Sequence, residues 1–125
     1  MTISRREAAR QCVAVFDTTF FKALCEPARI AVLRELILLG RADIAAVSER
    51  LPQDRSVVAR HLHHLAVAHI VTADKQGRHV FYEIDAHAVA ERLEGILAIT
   101  RVLESAMGAA DRASTARAKP ARART

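Results

Sequence analysis

Arg55, Ser56, Val57 and Arg60 follow one another closely in a stretch where Val58, Leu62, Leu65 and Ala66 recur at helical spacing. A helix with short polar and basic side chains near its N-terminus has the chemistry to read base edges in a DNA major groove. Arginine bonds a guanine edge through two N–H groups, and a small apolar side chain touches a thymine methyl. On this reading Arg60 takes a guanine and Val57 a methyl, while Ser56 or a backbone N–H holds a phosphate, aided by the helix dipole. A basic helix face turned only to solvent would have the same composition. The segment that follows favours the first reading, because Lys75, Gln76 and Arg78 gather at the tip of an expected hairpin.

The histidines and cysteines need separate weighing. His61, His63 and His64 sit together, and the i, i+3 spacing of His61 and His64 can chelate a metal. The other reading gives His61 and His64 a DNA-facing or structural role, and we place both with the DNA-binding residues. His79, on the second strand of the hairpin, is expected at a phosphate or in solvent. Cys12 and Cys25 are soft, oxidisable groups and so natural sensors. Cys25 lies just before Pro27 at a helix start, where the dipole favours thiolate. Free cysteine also behaves as a small buried hydrophobe, and the sequence leaves both roles open. A thiol-bound metalloid or metal is the one cofactor these residues suggest. The chain shows no nucleophile–base pair, no phosphate-cradling glycine loop and no complete metal triad, so we do not expect an enzyme.

These residues depend on the elements that hold them. A first helix is expected over 4–16, capped by Ser4 with Glu7 three residues on, and it stops or bends near 17–19. Pro27 opens a second helix that Gly40 ends, with Ile30, Leu33, Leu36 and Ile37 as its buried face. Asp43 caps a short third helix with Ile44, Val47 and Leu51 inward, closed by Pro52. The fourth helix starts at Asp54 and runs to about Ala68. Two strands, 70–73 and 79–84, flank a turn at 74–77 in which Gly77 suits a positive φ. A last helix over 86–108 carries Val89, Leu93, Ile96, Leu97, Leu103 and Met107 on one side. The order predicts a mainly α chain with a small β-hairpin wing, a winged helix-turn-helix. A core of this kind cannot cover Cys12, Val13, Phe16, Leu93, Ile96, Leu97, Leu103 and Met107. We therefore expect a homodimer through the first and last helices.

Composition bounds the rest. The 125 residues are 51% hydrophobic and 26% charged, which excludes wholesale disorder and fits one domain. Four Phe, one Tyr and no Trp force an aliphatic core, and four Gly with three Pro leave little for the turns of a barrel or sandwich. The formal charge is +5, but residues 109–125 carry five cations against Asp111 alone, so 1–108 holds only about +1. We read 1–108 as the folded domain. The tail 109–125 has no large apolar residue and is expected to be disordered, either a solubilising appendage or an arm adding non-specific phosphate attraction. The charged first ten residues are no signal peptide, no apolar run is long enough to span a membrane, and two cysteines make no disulfide framework. A cytoplasmic setting is the expectation.

The run Phe21-Lys-Ala-Leu-Cys-Glu-Pro-Ala-Arg29 resembles the helix-opening signature of ArsR/SmtB-type repressors. Ser56-Val-Val-Ala-Arg-His-Leu62 resembles that family's recognition helix, and Ile70-Val71, Gly77-Arg78 and Tyr82 its wing. The likeness spans about 20–84 in order and spacing. It implies a dimer on palindromic double-stranded operator DNA, released when a metal, metalloid or oxidant is sensed. The chain departs from the pattern in places. Ala59 and His69 stand where many members have Ser and Gly. The stretch 41–48 lacks the paired cysteines of the arsenic sensors. Asp85 and His87 match the start of the zinc sensors' site, but Ala98 and Arg101 occupy the partner positions. The alternatives are a winged-helix regulator without a small-molecule effector and a winged-helix module for protein partners; Arg55, Arg60, Lys75 and Arg78 argue against the second.

Overall fold

The computed structural model describes residues 3–115. Its elements are α1 (Arg5–Phe16), α2 (Thr19–Ala23), α3 (Pro27–Leu39), β1 (Arg41–Asp43), α4 (Ile44–Ser48), α5 (Arg55–Val67), β2 (Val71–Gln76), β3 (His79–Ile84) and α6 (Ala86–Thr115). The strands form one antiparallel sheet in the order β1–β3–β2. This is the mainly helical winged helix-turn-helix expected from the sequence. Asp17–Leu93 forms one compact unit, and α1 with α6 from Glu94 onward forms another.

Within Asp17–Leu93 several helix boundaries have a local cause. Thr18 Oγ1 accepts from Phe21 N at the start of α2. Pro27 occupies the first turn of α3, where no backbone donor is needed. Gly40 ends that helix at φ 87°, a conformation costly for any residue with a Cβ. Asp43 caps α4 through Ala46 N at 2.9 Å, as expected, and Asp85 caps α6 through Ala88 N at 3.0 Å. Asp85 is thus the cap of the last helix.

Val32, Leu36, Val47, Val58, Leu62, Leu65 and Ile70 are fully buried and form the core between α3, α4, α5 and the sheet. Each such side chain contributes roughly 1.5–3 kcal/mol by leaving water. The expected inner face of α3 needs correction. Ile30 and Ile37 are exposed, and the helix turns Val32, Glu35 and Leu36 inward instead. Residues 30–33 and 36–39 are all apolar, so periodicity could not choose a face, and a charge at Glu35 points the wrong way. Glu35 is buried because Arg34 meets it at 2.8 Å and Arg50, beyond α4, at 3.7 Å.

The sheet holds a strand that the sequence does not announce. Arg41 pairs with Glu83 and Asp43 with Phe81, adding β1 to the hairpin; three residues with two charges carry no alternation to read. The wing also differs from expectation. β2 continues to Gln76, and Gly77 with Arg78 makes a two-residue turn. Gly77 has φ 63° at its first central position, which hairpin turns of this length require. Lys75 and Gln76 therefore lie on β2, and Arg78 alone of the three is in the turn.

In the second unit Ser4 Oγ accepts from Glu7 N at 3.1 Å, while the Glu7 carboxylate turns to Arg10 and Gln11. Ala8 and Ala106 are buried, and Arg5 Nε donates to Met107 Sδ at 3.4 Å, so α1 packs along the later turns of α6. Val13, Phe16 and Leu97 are exposed. α6 does not stop near Gly108. It runs to Thr115, through a stretch rich in alanine, the best helix former, which propagates a helix without an apolar face. The basic tail was expected to be disordered from residue 109; its last part, 116–125, lies outside the described residues. Among the described residues no helix is long and apolar enough to cross a membrane.

Candidate nucleic-acid interface

α5 has two sharply different sides. Val58, His61, Leu62 and Leu65 are buried, and Ser56, Arg60, His63 and Val67 lie opposite in solvent. The outward set is spaced i, i+4, i+7, i+11, which at 3.6 residues per turn is a single line along the helix. Arg55 and His64 are exposed on its flanks, and Val57 is half-buried. Asp54 stands at the N-cap but its side chain makes no capping bond.

Two corrections to the expected site follow. His61 is 4% exposed and belongs to the core stripe, so it cannot touch a base. Its Nε2 is 3.8 Å from Glu26 Oε1, and its Nδ1 is buried without a partner. Burial pushes its imidazole below the ordinary histidine value, against the pull of Glu26, with Arg29, Arg60 and His64 adding to the lowering. His61 is buried where its neighbour His64 is exposed, and no cluster of three metal-ligating side chains occurs among the described residues. His63, which sequence reading left out of the DNA-binding set, sits in the middle of the outward line. Counting from Ser56 in steps of four and three would have found it.

The cations on this surface differ from most of those elsewhere among the described residues, Arg5, Arg6 and Arg92 being others without an ion pair. Arg10, Lys22, Arg29, Arg34, Arg41 and Arg50 are ion-paired. Arg55, Arg60, Lys75 and Arg78 are exposed and have no ion-pair partner among the described residues. Unpaired guanidinium and ammonium groups are available to phosphate and base acceptors at no cost in broken pairs. The wing holds Lys75 and Arg78 on an antiparallel ladder from Val71↔Ile84 to Gln76↔His79. Gln76 is engaged, donating to Asp74 Oδ2 at 3.1 Å. The Arg41 guanidinium, bonded to Asp74 at 3.0 Å, and Gln76 hold the Asp74 carboxyl below its usual range. His79 Nδ1 is 3.3 Å from Asp43 Oδ2, so the second wing strand is tied to the start of α4.

α5 ends in a Schellman motif. His69 N bonds Ala66 O and Ile70 N bonds Leu65 O, both at 3.0 Å, with His69 at φ 60°. His69, which stands where glycine is common in the family it resembles, takes the left-handed conformation with the fold intact. Upstream, the Arg29 guanidinium donates to the carbonyls of Lys22 and Ala23 and to Glu26. The Lys22–Arg29 signature is thus a clamp that fixes the end of α2 to the start of α3. Cys25, between them, is exposed, and Cys12 on α1 is half-buried beside Val15, Phe16, Ile99 and Leu103.

A buried helix–turn–helix core, an outward basic line on its second helix and a hairpin wing define a winged helix-turn-helix domain. No family profile and no curated protein matches the sequence. Solved structures do match. An ArsR-like transcriptional regulator from Rhodococcus sp. RHA1 superimposes with a TM-score of 0.65 at 24% identity, over 83% of this chain and 93% of that one. Another ArsR family regulator gives 0.57 at 24% identity, over 84% and 97%. A homodimeric winged helix-turn-helix DNA-binding domain from Mycobacterium bovis, of a possible ArsR-family regulator, gives 0.54 at 21%, over 81% and 89%. The chain has the winged helix-turn-helix fold of these ArsR-type regulators.

Proposed function

We propose that this protein is a homodimeric, sequence-specific transcriptional regulator of the ArsR type that binds operator DNA and no catalytic substrate. α5 enters the major groove, where Arg60 reads a guanine edge, Ser56 and Arg55 meet the backbone at the helix start, and Val57 flanks them. Lys75 and Arg78 of the wing hold phosphates. The observation that carries this reading is the pairing pattern. Arg55, Arg60, Lys75 and Arg78 of α5 and the wing stand open among the described residues, while of the other cations of Asp17–Leu93 Lys22, Arg29, Arg34, Arg41 and Arg50 are paired with carboxylates and Arg92 lies over the Phe20 ring. The homodimeric Mycobacterium bovis neighbour and the open apolar faces of α1 and α6 support the two-fold assembly. The basic stretch 109–125 adds sequence-independent attraction to phosphates.

Gel-shift titration against fragments selected from genomic DNA tests the reading. Arg60→Ala is expected to cost roughly 1–3 kcal/mol and to relax discrimination at one base position. Arg78→Ala weakens binding evenly across sequences and flattens the salt dependence. Full operator affinity in Arg60→Ala would put the reading helix elsewhere.

The exposure of Cys25 at the α2–α3 junction favours a second element, repression released by a thiol-reactive metalloid, metal or oxidant acting at Cys12 and Cys25. Operator binding by wild type, Cys12→Ser and Cys25→Ser, each reduced, oxidised or treated with arsenite, decides it. Equal affinity throughout leaves the cysteines as packing residues.

A further inference from the structure

Beside α5 lies a cleft of about 290 Å³ that the outward line of the helix does not account for. Thr19, Lys22 and Arg29 wall it on the α2–α3 side, and His64 and Val67 wall it on the α5 side. Its lining carries a guanidinium, an ammonium, an imidazole and a hydroxyl, and no carboxylate. His64 and Val67 follow Arg60 at i+4 and i+7, so the cleft opens along the edge of the stripe that carries the unpaired arginine.

The cationic walls differ in freedom. Arg29 is fixed, with its side chain 11% exposed, its Nη1 given to Lys22 O and Ala23 O and its Nη2 to Glu26, while its Nε is buried without a partner. It is always protonated but its charge is balanced by Glu26, so it shapes the cleft without offering a free cation. Lys22 is 71% exposed and tethered only to Asp17, itself 68% exposed, at 3.2 Å. Exposed pairs of this kind are worth about 0–1 kcal/mol, so the ammonium exchanges Asp17 for a stronger partner at little cost. The Thr19 side chain is exposed at the first residue of α2.

We propose that this cleft seats a backbone phosphate of duplex DNA, with Lys22 as its charge partner and the Thr19 hydroxyl and His64 imidazole as hydrogen-bond donors. The proposal rests on α5 being the DNA-reading helix. α2 then joins α5 and the wing as a third contacting element, one that sets the position of the helix in its groove and reads no sequence. A phosphate held on this side also explains why an apolar-rich short helix carries its only cation and its first hydroxyl toward α5.

Because phosphate contacts are independent of sequence, a mixed-sequence DNA duplex is the probe, titrated with the full chain over a range of salt. One lost contact lowers the salt slope by about 0.9 and the affinity by about eightfold near 0.1 M salt. Lys22→Gln is expected to show both losses and Lys22→Arg neither. Thr19→Val, which releases no counterion, lowers affinity with the slope unchanged. Arg101→Gln, on α6, changes nothing. If Lys22→Gln and Thr19→Val both bind as wild type while Arg78→Gln loses slope, the cleft proposal is overturned and the DNA reading stands. Wild-type protein without salt-dependent binding would overturn both.

Discussion

The two compact units of this chain solve different problems with the same aliphatic vocabulary. In Asp17–Leu93 seven large side chains are fully buried, and each helix of the helix-turn-helix has one face closed by its neighbours. In the unit of α1 and the later part of α6, the buried residues among those described are two alanines, Ala8 and Ala106, while Val13, Phe16 and Leu97 are half or more exposed. Two helices cannot enclose a core between them, so their apolar side chains stay open until something else covers them. The first unit closes its own core; the second leaves its apolar side chains open, as the dimer proposed above requires. The contrast is blurred on α3, where Ile30, Ile37 and Leu38 are also open, and at Val67 and Leu93.

Matched substitutions sharpen the contrast. Leu62→Ala removes a fully buried side chain from the first unit and is expected to cost about 2–5 kcal/mol. The loss appears as a lower denaturation midpoint that does not depend on protein concentration. Leu97→Glu in the second unit is expected to leave the helix-turn-helix folded and to weaken self-association at least tenfold, about 1.4 kcal/mol or more. Sedimentation over a concentration series reads it. A monomeric wild type, or a Leu97→Glu variant that associates as wild type does, would erase the distinction between the units.

The same contrast explains what was legible in the sequence. α5 could be read because its polar and apolar residues alternate at helical spacing, and its boundaries, its core stripe and the exposure of Arg55, Ser56 and Arg60 follow. Gly40, Asp43 and Gly77 were legible because each does one local job. α3 could not be read face by face, since it is apolar nearly all round and its inward charge, Glu35, is neutralised by Arg34 and by Arg50 from beyond the next helix. β1 exists through pairing with a strand that comes some forty residues later, which no local pattern announces. His61 was misplaced because a histidine among arginines and histidines reads as part of a polar face, whereas packing against α3 decides its burial.

That burial has a measurable consequence inside the closed unit. The His61 imidazole is held below the ordinary value of 6.5 in the folded chain. Below that pH the unfolded chain takes up a proton at this site before the folded chain does, so folding stability falls as pH drops through 6.5 and toward the folded value. One such group gives a slope of at most about 1.4 kcal/mol per pH unit. The difference in slope between wild type and His61→Gln, from denaturant titrations on either side of pH 6.5, isolates it from the exposed histidines. Parallel curves would mean that His61 is solvated when folded.

The smallest expected effect lies at the end of α5, where the closed unit accepts strain. His69 takes φ 60° as the residue after the helix cap, and its backbone N–H serves the Schellman bond to Ala66. A residue with a Cβ pays about 1–2 kcal/mol in the left-handed region. Glycine pays nothing there but loses more freedom on folding, so the net gain from His69→Gly is smaller, about 0.5–1 kcal/mol. The side chain is exposed and forms neither a hydrogen bond nor an ion pair among the described residues, so little is lost on its removal. Thermal melting should therefore show His69→Gly more stable than wild type, and DNA affinity should stay the same. A destabilised His69→Gly would mean that the imidazole supports the α5–β2 corner. A stable variant with weakened DNA binding would add His69 to the interface.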